Sequence, residues 1–201
     1  MTLAARIAAF QATYAKWPAS WPHLVKEGGR DVLYATWLIG NHYRNATRYY
    51  GAYPPGYLKR IAALFPDVEP DATLHVFAGS LPEGVWRMDV SLEHDPTIPG
   101  SVYDARTLID RYVRKHHRFR LLVADPPYSS ADAVHYKTTM ISRGRALAAL
   151  ATVTKAGGHL VWLDVCWPMH RKAEWVTVGR IAIVRSTNHR VRMATIFERA
   201  A

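Results

Sequence analysis

Short apolar runs separated by turn residues follow Asp71 and predict a series of β-strands. The runs LLVA and HLVWLDV are nearly continuous in apolar residues, as expected for central strands covered on both faces. A helical pattern from about Lys137 to Val153 separates them, which predicts a parallel crossover. The last two runs, WVTVGRIAIVRS and RMATIFER, flank the polar segment STNHR and predict an antiparallel hairpin at the sheet edge.

The beginning of the chain has a helical pattern instead. Residues 3–16 are predicted to form a helix, and so are residues of about 30–47, because Leu33, Trp37 and Leu38 recur at helical spacing. A third helix is predicted in the segment YPPGYLKRIAALFPD, where a proline near the first turn is tolerated.

The size of the chain favours one domain. It has 201 residues, of which 49% are hydrophobic, enough for one real core. We expect a single α/β domain over residues 1–201, with an N-terminal helical part at 1–70 and a sheet at 71–201. Cys166 is the only cysteine, so no internal disulfide can form, which suits a reducing cytoplasm. No segment approaches membrane-spanning length, and the N-terminus lacks the unbroken apolar stretch of a signal peptide.

The charge balance indicates a polyanionic partner. Lys and Arg outnumber Asp and Glu by 26 to 16, a formal charge of +10, which most often accompanies nucleic-acid binding. A basic but indifferent surface is the alternative. The stretch RYVRKHHRFR, starting at Arg111, and the tail from Met169 are rich in Arg and Lys. We expect a polyanion to meet these stretches.

The segment LLVADPPYSS places an acid at the end of a predicted central strand. In parallel sheets ligands bind beyond the carboxyl ends of strands, so Asp125 occupies an active-site position. Pro126 and Pro127 hold the backbone extended. The Asp125 carboxylate and the Pro126 carbonyl are acceptors for the two hydrogens of a planar amine, and Tyr128 offers a face for stacking a heterocycle. A strand that merely ends in a proline turn is the alternative.

The motif DPPY resembles the amine-acceptor motif of S-adenosylmethionine-dependent amino-methyltransferases that act on adenine N6 or cytosine N4. The resemblance implies a Rossmann-like class I methyltransferase sheet, mostly parallel with a C-terminal antiparallel hairpin and preceded by N-terminal helices. Adenine enzymes of this family typically carry an acid first, whereas cytosine-type enzymes more often carry serine. DPPYS and STNHR also resemble short DNA methyltransferases of phages and mobile elements. The implied catalytic residues are Asp125, Pro126, Pro127 and Tyr128.

The segment LHVFAGS resembles the family's cofactor-binding strand and loop, and YYGAYPP resembles the segment that precedes it. The resemblance implies that Asp89 meets the ribose hydroxyls of S-adenosylmethionine and that Asp104 accepts from its adenine amine. A helix cap or a surface charge is the alternative for each acid. The implied cofactor-binding residues are Tyr53, Pro54, Phe77, Ala78, Gly79, Ser80, Asp89 and Asp104.

The first loop departs from the family's pattern. His75 stands where the family has an acid, and Leu81 stands in place of the second glycine. Gly79 and Asp89 are only ten residues apart, whereas a crossover with a helix needs a dozen or more. We therefore expect the first helix to be vestigial or missing.

Residues around the target pocket are expected after the amine-acceptor motif, after the next strand and in the terminal hairpin. Asp132 is a further candidate, and Arg185, Asn188, His189, Arg190 and Arg192 form a basic hairpin tip that either grips a phosphate backbone or is solvated. The histidines match no zinc pattern, so we expect no metal. The candidate substrate-binding residues are Ser129, Tyr136, Trp167, Arg185, His189 and Arg190.

These features together predict an S-adenosylmethionine-dependent DNA methyltransferase of adenine N6. Its expected partner is DNA, with RNA as an alternative, and its expected location is the cytoplasm of a bacterial or phage-infected cell. No membrane partner is expected, and the sequence sets no oligomeric state. A cytosine N4 enzyme, an RNA base methyltransferase and a nucleic-acid-binding protein on a decayed methyltransferase scaffold are the alternatives.

Overall fold

A computed structural model of the chain describes residues 1–40, 53–81, 86–135, 138–185 and 191–201. Its described strands are β1 (His23–Glu27), β2 (Arg30–Ile39), β3 (Thr73–Val76), β4 (Trp86–Asp89), β5 (Ile98–Pro99), β6 (Phe119–Ala124), β7 (Thr154–Asp164), β8 (Trp175–Arg185) and β9 (Val191–Arg199). Its described α-helices are α1 (Leu3–Thr13), α2 (Tyr57–Leu64), α3 (Ala105–Tyr112), α4 (Ser130–His135) and α5 (Arg143–Ala151). Short 3-10 helices lie at Pro18–Ser20, Pro70–Ala72 and Val102–Asp104.

All these strands belong to one sheet, in the order β1-β2-β8-β9-β7-β6-β3-β4-β5. Strand β9 is antiparallel to β7 and β8, and β1 is antiparallel to β2, whereas the other neighbours are parallel. Helices α4 and α5 lie in the crossover between β6 and β7. The predicted parallel sheet with an antiparallel C-terminal hairpin is confirmed. The hairpin is not at the sheet edge as expected, because β2 and β1 extend the sheet beyond β8.

The strand directions define two edges of the sheet. The strands β3, β4, β6 and β7 are parallel along the sheet, so they end at one edge, which we call the carboxyl edge, and begin at the opposite amino edge. Strand β9 begins at the carboxyl edge, because Met193 near its start pairs with Asp164 at the end of β7. The carboxyl edge is where parallel sheets bind ligands.

Helices cover both faces of the sheet. Buried residues of α1 and α2, including Phe10 and Ile61, pack with Trp37 and Ile181 on one face. Buried residues of α3 and α5 pack on the other face with a second cluster that includes Trp162. Each face therefore has its own apolar layer, as expected for central strands covered on both sides. No helix among the described residues is long and apolar enough to cross a membrane.

The predicted helix at about 30–47 is wrong over its described part, because residues 30–39 form strand β2. Burial in β2 alternates, with Leu33 and Trp37 inside and Leu38 61% exposed. A spacing of four residues returns to the same side of a strand as well as of a helix, so the pair Leu33 and Trp37 did not distinguish the two. The N-terminal part at 1–70 therefore contains α1 and α2, as expected, but also β1 and β2.

The connection between β3 and β4 is short, as predicted from the spacing of Gly79 and Asp89. The two strands are parallel neighbours, yet β3 ends at Val76 and β4 begins at Trp86. No helix lies among the described residues between them. The loop after β3 instead turns sharply, with Phe77 and Gly79 both at positive φ, 58° and 49°. A left-handed phenylalanine is a strained conformation that tends to occur at functional sites.

The alternation in β2 predicts unequal effects for two adjacent substitutions. Trp37 is fully buried and stacks on Phe10 with the ring centroids 5.4 Å apart, so Trp37→Ala should lower the free energy of unfolding by about 3–5 kcal/mol. Leu38→Ala is the matched control and should cost less than about 1 kcal/mol. Urea denaturation measures both. Equal losses would contradict the strand assignment.

Candidate active site

The motif DPPY forms a turn directly after β6, at the carboxyl edge, and we call Asp125 to Tyr128 the amine-acceptor turn after the family motif that it resembles. Asp125 follows the last strand residue, Ala124, and is half-buried, whereas Pro126 and Pro127 are buried. The hydroxyl of Tyr128 donates a hydrogen bond to Oδ1 of Asp125. The turn therefore brings the carboxylate of Asp125 and the aromatic ring of Tyr128 together.

Burial raises the pKa of Asp125 to about 7. The charge of Arg192 and the hydrogen bond from Tyr128 oppose this rise in the pKa, whereas the negative charges of Asp164 and Asp132 add to it. Asp125 therefore changes its protonation state near neutral pH. Only the carboxylate form accepts hydrogen bonds at both oxygens, because the acid form carries a donor on one of them.

Arg192 approaches this turn from the second residue of β9. The central carbon of its guanidinium lies 4.6 Å from the centroid of the Tyr128 ring, within the range of a cation–π interaction. Its side chain also lines the cavity beside Asp125. The start of β9 thus places a positive charge next to the amine-acceptor turn.

A buried ion pair connects the same turn to β7. Asp164 is fully buried, and its carboxylate accepts from Nε and Nη2 of Arg143 at 2.7 and 2.9 Å. It also accepts from the indole nitrogen of Trp162 at 3.0 Å and the backbone nitrogen of Val165 at 2.7 Å. Arg143 donates in addition to the carbonyl of Tyr128 at 3.4 Å. Arg143 therefore ties the turn after β6 to the end of β7.

The loops after β3 and β4 are joined through Asp89. The backbone nitrogen of Gly79 donates to Oδ2 of Asp89 at 2.9 Å, and the backbone nitrogen of Ser91 donates to Oδ1 at 2.9 Å. Each carboxylate oxygen keeps a further lone pair for another donor. The carboxylate of Asp89 is consequently held in one orientation and can still accept further hydrogen bonds from a ligand.

These loops and the amine-acceptor turn surround one cavity. Its volume is about 160 Å³, roughly ten times the space that one water needs, so it can hold an organic ligand. Phe77, Gly79 and Asp89 line it together with the turn after β6. The described residues lining it are Val76, Phe77, Gly79, Met88, Asp89, Val90, Ser91, Gly100, Ser101, Val102, Tyr103, Asp125, Pro126, Pro127, Tyr128, Thr138, Thr139, Ile141 and Arg192.

Several expected cofactor-binding residues lie elsewhere. The Tyr53 hydroxyl donates to the carbonyl of Val123 at 3.2 Å, and the Tyr53 ring stacks on Tyr57. Tyr53 therefore contacts the backbone of β6. Pro54 is buried beside it, outside the cavity lining. Ala78 and Ser80 belong to the loop after β3 but do not line the cavity either.

Asp104 is exposed at the start of α3 and does not line the cavity. The strand before it, β5, has only two residues, and Asp104 lies at the end of the 3-10 helix that follows this strand. Ser101 and Tyr103, on either side of Val102, line the cavity instead.

His75 replaces an acid at β3, and the structure makes it a buried neutral residue. Burial lowers its pKa to about 4. Its ring packs edge-on against Tyr53, with centroids 6.1 Å apart. His75 is therefore uncharged at neutral pH.

The expected substrate-binding residues are dispersed. Ser129 caps α4, because its hydroxyl accepts from the backbone nitrogen of Asp132 at 3.1 Å. Trp167 is 56% exposed, with the Arg180 guanidinium 4.7 Å from its ring, and does not line the cavity. Arg185 ends β8, outside the cavity lining. The remaining three, Tyr136, His189 and Arg190, lie outside the described residues.

Sequence reasoning missed Arg143, Tyr103 and the cavity position of Arg192. Arg192 was assigned to the basic hairpin tip, since its charge was visible but its neighbour Tyr128 was not. Arg143 gave no local signal, because its partner Asp164 lies 21 residues away. The described His, Cys, Asp and Glu side chains form no metal-binding cluster.

The fold is a Rossmann-like class I methyltransferase fold, as the resemblance implied. The methyltransferase TrmN from Thermus thermophilus aligns with 77% of this chain and 51% of its own, with a TM-score of 0.52 and 12% sequence identity. This chain thus spans about half the length of TrmN. An rRNA methylase from Streptococcus thermophilus aligns with 67% of this chain and 90% of its own, at a TM-score of 0.37 and 8% identity. No protein-family model and no curated protein sequence matches the chain.

The buried pair of Arg143 and Asp164 predicts a large loss of stability on substitution. Arg143→Gln leaves a fully buried carboxylate without its cation, which should lower the free energy of unfolding by about 3 kcal/mol or more. Arg171→Gln is the matched control, because that side chain is 78% exposed and its pair with Glu174 is worth less than about 1 kcal/mol. Chemical denaturation compares the two variants. Similar losses would show that the buried pair stabilises the protein no more than the exposed pair does.

Proposed function

We propose that the protein transfers a methyl group from S-adenosylmethionine to the N6 amine of adenine in DNA. One observation carries the proposal: the amine-acceptor turn of Asp125 to Tyr128 and the loops containing Phe77, Gly79 and Asp89 line the same cavity. A methyl donor and an amine acceptor must meet in one site for direct transfer.

The groups around the cavity fit the methyl donor. The Asp89 carboxylate, fixed by two backbone donors, suits a pair of ribose hydroxyls. Gly79 lets a ligand approach the backbone closely, and the rings of Phe77 and Tyr103 provide flat apolar surfaces for a purine. S-adenosylmethionine, when bound, supplies a methyl group on a positively charged sulfur. The Asp89 carboxylate in the cavity lining also suits this positive charge.

The amine-acceptor turn performs the second task. Asp125 and the Pro126 carbonyl accept the two hydrogens of the target amine, which favours the more tetrahedral nitrogen needed for attack. Tyr128 stacks on the base. In the free protein its hydroxyl already donates to Asp125, so the carboxylate is oriented before the base arrives.

Arg143 and Arg192 are positioning residues in this proposal. Arg143 holds the Tyr128 carbonyl against the buried Asp164, which limits movement of the turn. Arg192 favours the carboxylate form of Asp125 through its charge. Both effects keep the acceptor in the geometry and the protonation state that the amine requires.

Methylation of an RNA base is the second candidate. The structural similarity to TrmN favours it, because TrmN is an RNA methyltransferase. The acid that begins the amine-acceptor motif favours adenine by family resemblance, and the formal charge of +10 suits either nucleic acid.

The acceptor is tested directly with purified protein, labelled S-adenosylmethionine, and either plasmid DNA or structured RNA. Nucleoside mass spectrometry should find N6-methyl-deoxyadenosine, and label confined to RNA would select the second candidate. Asp125→Ala should lower the rate at least about 100-fold while calorimetry shows unchanged cofactor binding. Asp132→Asn, a nearby acid outside the cavity, should retain most of the activity. An Asp125→Ala variant as active as the wild type would refute the role of Asp125.

The pKa of Asp125 predicts the pH dependence of transfer. Below about pH 7 the carboxyl is protonated and loses acceptor capacity, so the rate should rise with pH, reach half its maximum near pH 7 and then level off. Arg192→Met removes a charge that lowers this pKa, so its midpoint should move to higher pH. Single-turnover rates between pH 5 and pH 9 measure both curves. A flat wild-type profile would contradict the assignment.

A further inference from the structure

A cluster of positive side chains lies at the amino edge of the sheet, opposite the cavity. Helix α3 ends at Tyr112, and the following loop enters β6 at Phe119, the amino end of that strand. Thr154 of β7 pairs with Phe119, which brings the neighbouring Lys155 to the same edge. We call this cluster the amino-edge patch. It comprises the exposed side chains of Arg111, Arg114, Lys115, Arg118 and Lys155.

The charges of the patch are not neutralised by neighbouring acids. Asp110 accepts from Nε of Arg106 at 3.1 Å and from the backbone nitrogen of His116 at 2.6 Å. Asp67 pairs with Arg6 at 2.7 Å and with Arg120 at 3.0 Å. None of the five patch cations has an acidic partner among the residues that the structure describes. The patch therefore presents net positive charge to solvent.

Helix capping accounts for only part of this charge. Arg111 lies in the last turn of α3, and Arg114 follows its C-cap, Val113, so both can stabilise the negative end of the helix. Lys115, Arg118 and Lys155 lie beyond that range, because the effect falls off within the last turn. These three side chains have no such structural role.

The patch and the cavity are too far apart for one nucleotide. Strand β6 runs from Phe119 at the amino edge to Ala124 beside the amine-acceptor turn. Its five residue steps span about 17 Å at roughly 3.3 Å per residue. That distance is about five phosphate spacings along one strand of a duplex, at roughly 3.4 Å each. A ligand that contacts both sites must be a polymer.

We propose that the amino-edge patch binds the phosphate backbone of the nucleic-acid substrate while one base occupies the cavity. The inference rests on the proposed function for the identity of the polyanion. It makes the substrate an extended or folded nucleic acid that passes around the sheet from the carboxyl edge to the amino edge. Phosphate contacts of this kind position the polymer without reading its sequence.

The test compares two triple variants that lose the same charge. K115Q/R118Q/K155Q removes the three patch cations that capping does not explain, whereas K16Q/R30Q/K59Q removes three exposed cations from the N-terminal part. K115R/R118K/K155R keeps the patch charge and controls for the side-chain changes. Thermal melting of all three variants close to that of the wild type shows that the fold is intact.

Fluorescence anisotropy with a 24-base-pair DNA duplex and an RNA hairpin of similar length, over a series of salt concentrations, measures phosphate contacts directly. For a DNA duplex, each phosphate contact makes the slope of log affinity against log salt concentration steeper by about 0.9. The slope of the patch variant should therefore be shallower than that of the wild type by about 2 to 3. The N-terminal and charge-keeping variants should match the wild type. Equal slopes in the patch and wild-type proteins, or equal losses in the patch and N-terminal variants, would overturn the proposal. Whichever polymer shows the loss identifies the source of the phosphates.

Methyl transfer separates this inference from the proposed function. A dinucleotide can place one base in the cavity but is too short to span the roughly 17 Å to the patch, so the patch variant should modify it at the wild-type rate. On the long substrate the same variant should show a KM raised at least about ten-fold with kcat unchanged. A wild-type protein that modifies neither substrate would refute the proposed function, while the anisotropy slopes would still decide on the patch.

Discussion

The geometry of the candidate site depends on the buried contact between Arg143 and Asp164. Asp164 is a charge without access to water, and it is tolerable there because a guanidinium, an indole and a backbone amide all donate to it. The same guanidinium donates to the Tyr128 carbonyl at 3.4 Å, so Arg143, at the start of α5, joins the end of β7 to the turn after β6. Two prolines make that turn stiff, but the ion pair determines where the stiff segment points.

The carboxylates of Asp125 and Asp164 both follow or end a central strand, but their surroundings give them different roles. Asp164 accepts hydrogen bonds from four nitrogen atoms and from the thiol of Cys166, and it serves as a fixed structural contact. Asp125, at the end of the neighbouring strand, accepts a side-chain hydrogen bond from Tyr128, and burial raises its pKa to about 7. Perturbed groups that face a cavity are candidates for chemistry, whereas fully paired groups stabilise the fold. Their positions in the sequence, each at the end of an apolar strand, do not distinguish the structural role of Asp164 from the chemical role of Asp125.

Local pattern was sufficient to predict most of the sheet and the amine-acceptor turn. Strands β6 and β7 are continuous apolar runs, and the turn follows one of them directly, so both could be read from neighbouring residues. Strand β2 was misassigned because Leu33 and Trp37 fit either periodicity. Asp104 was misplaced because β5 is only two residues long, too short for a pattern. Arg143 and Arg192 take their positions from partners 21 and 64 residues away, which no local pattern contains.

The place of β9 in the sheet has a consequence for biosynthesis. Strands β1, β2 and β8 are hydrogen-bonded to the remaining strands only through β9, which is made after all of them. Before β9 is synthesised, the other strands can form only two separate groups, each with an unpaired edge. The insertion of β9 closes that gap and delivers Arg192 to Tyr128 in the same event. Joining the two groups of strands and placing the Arg192 charge beside Tyr128 thus depend on the same strand.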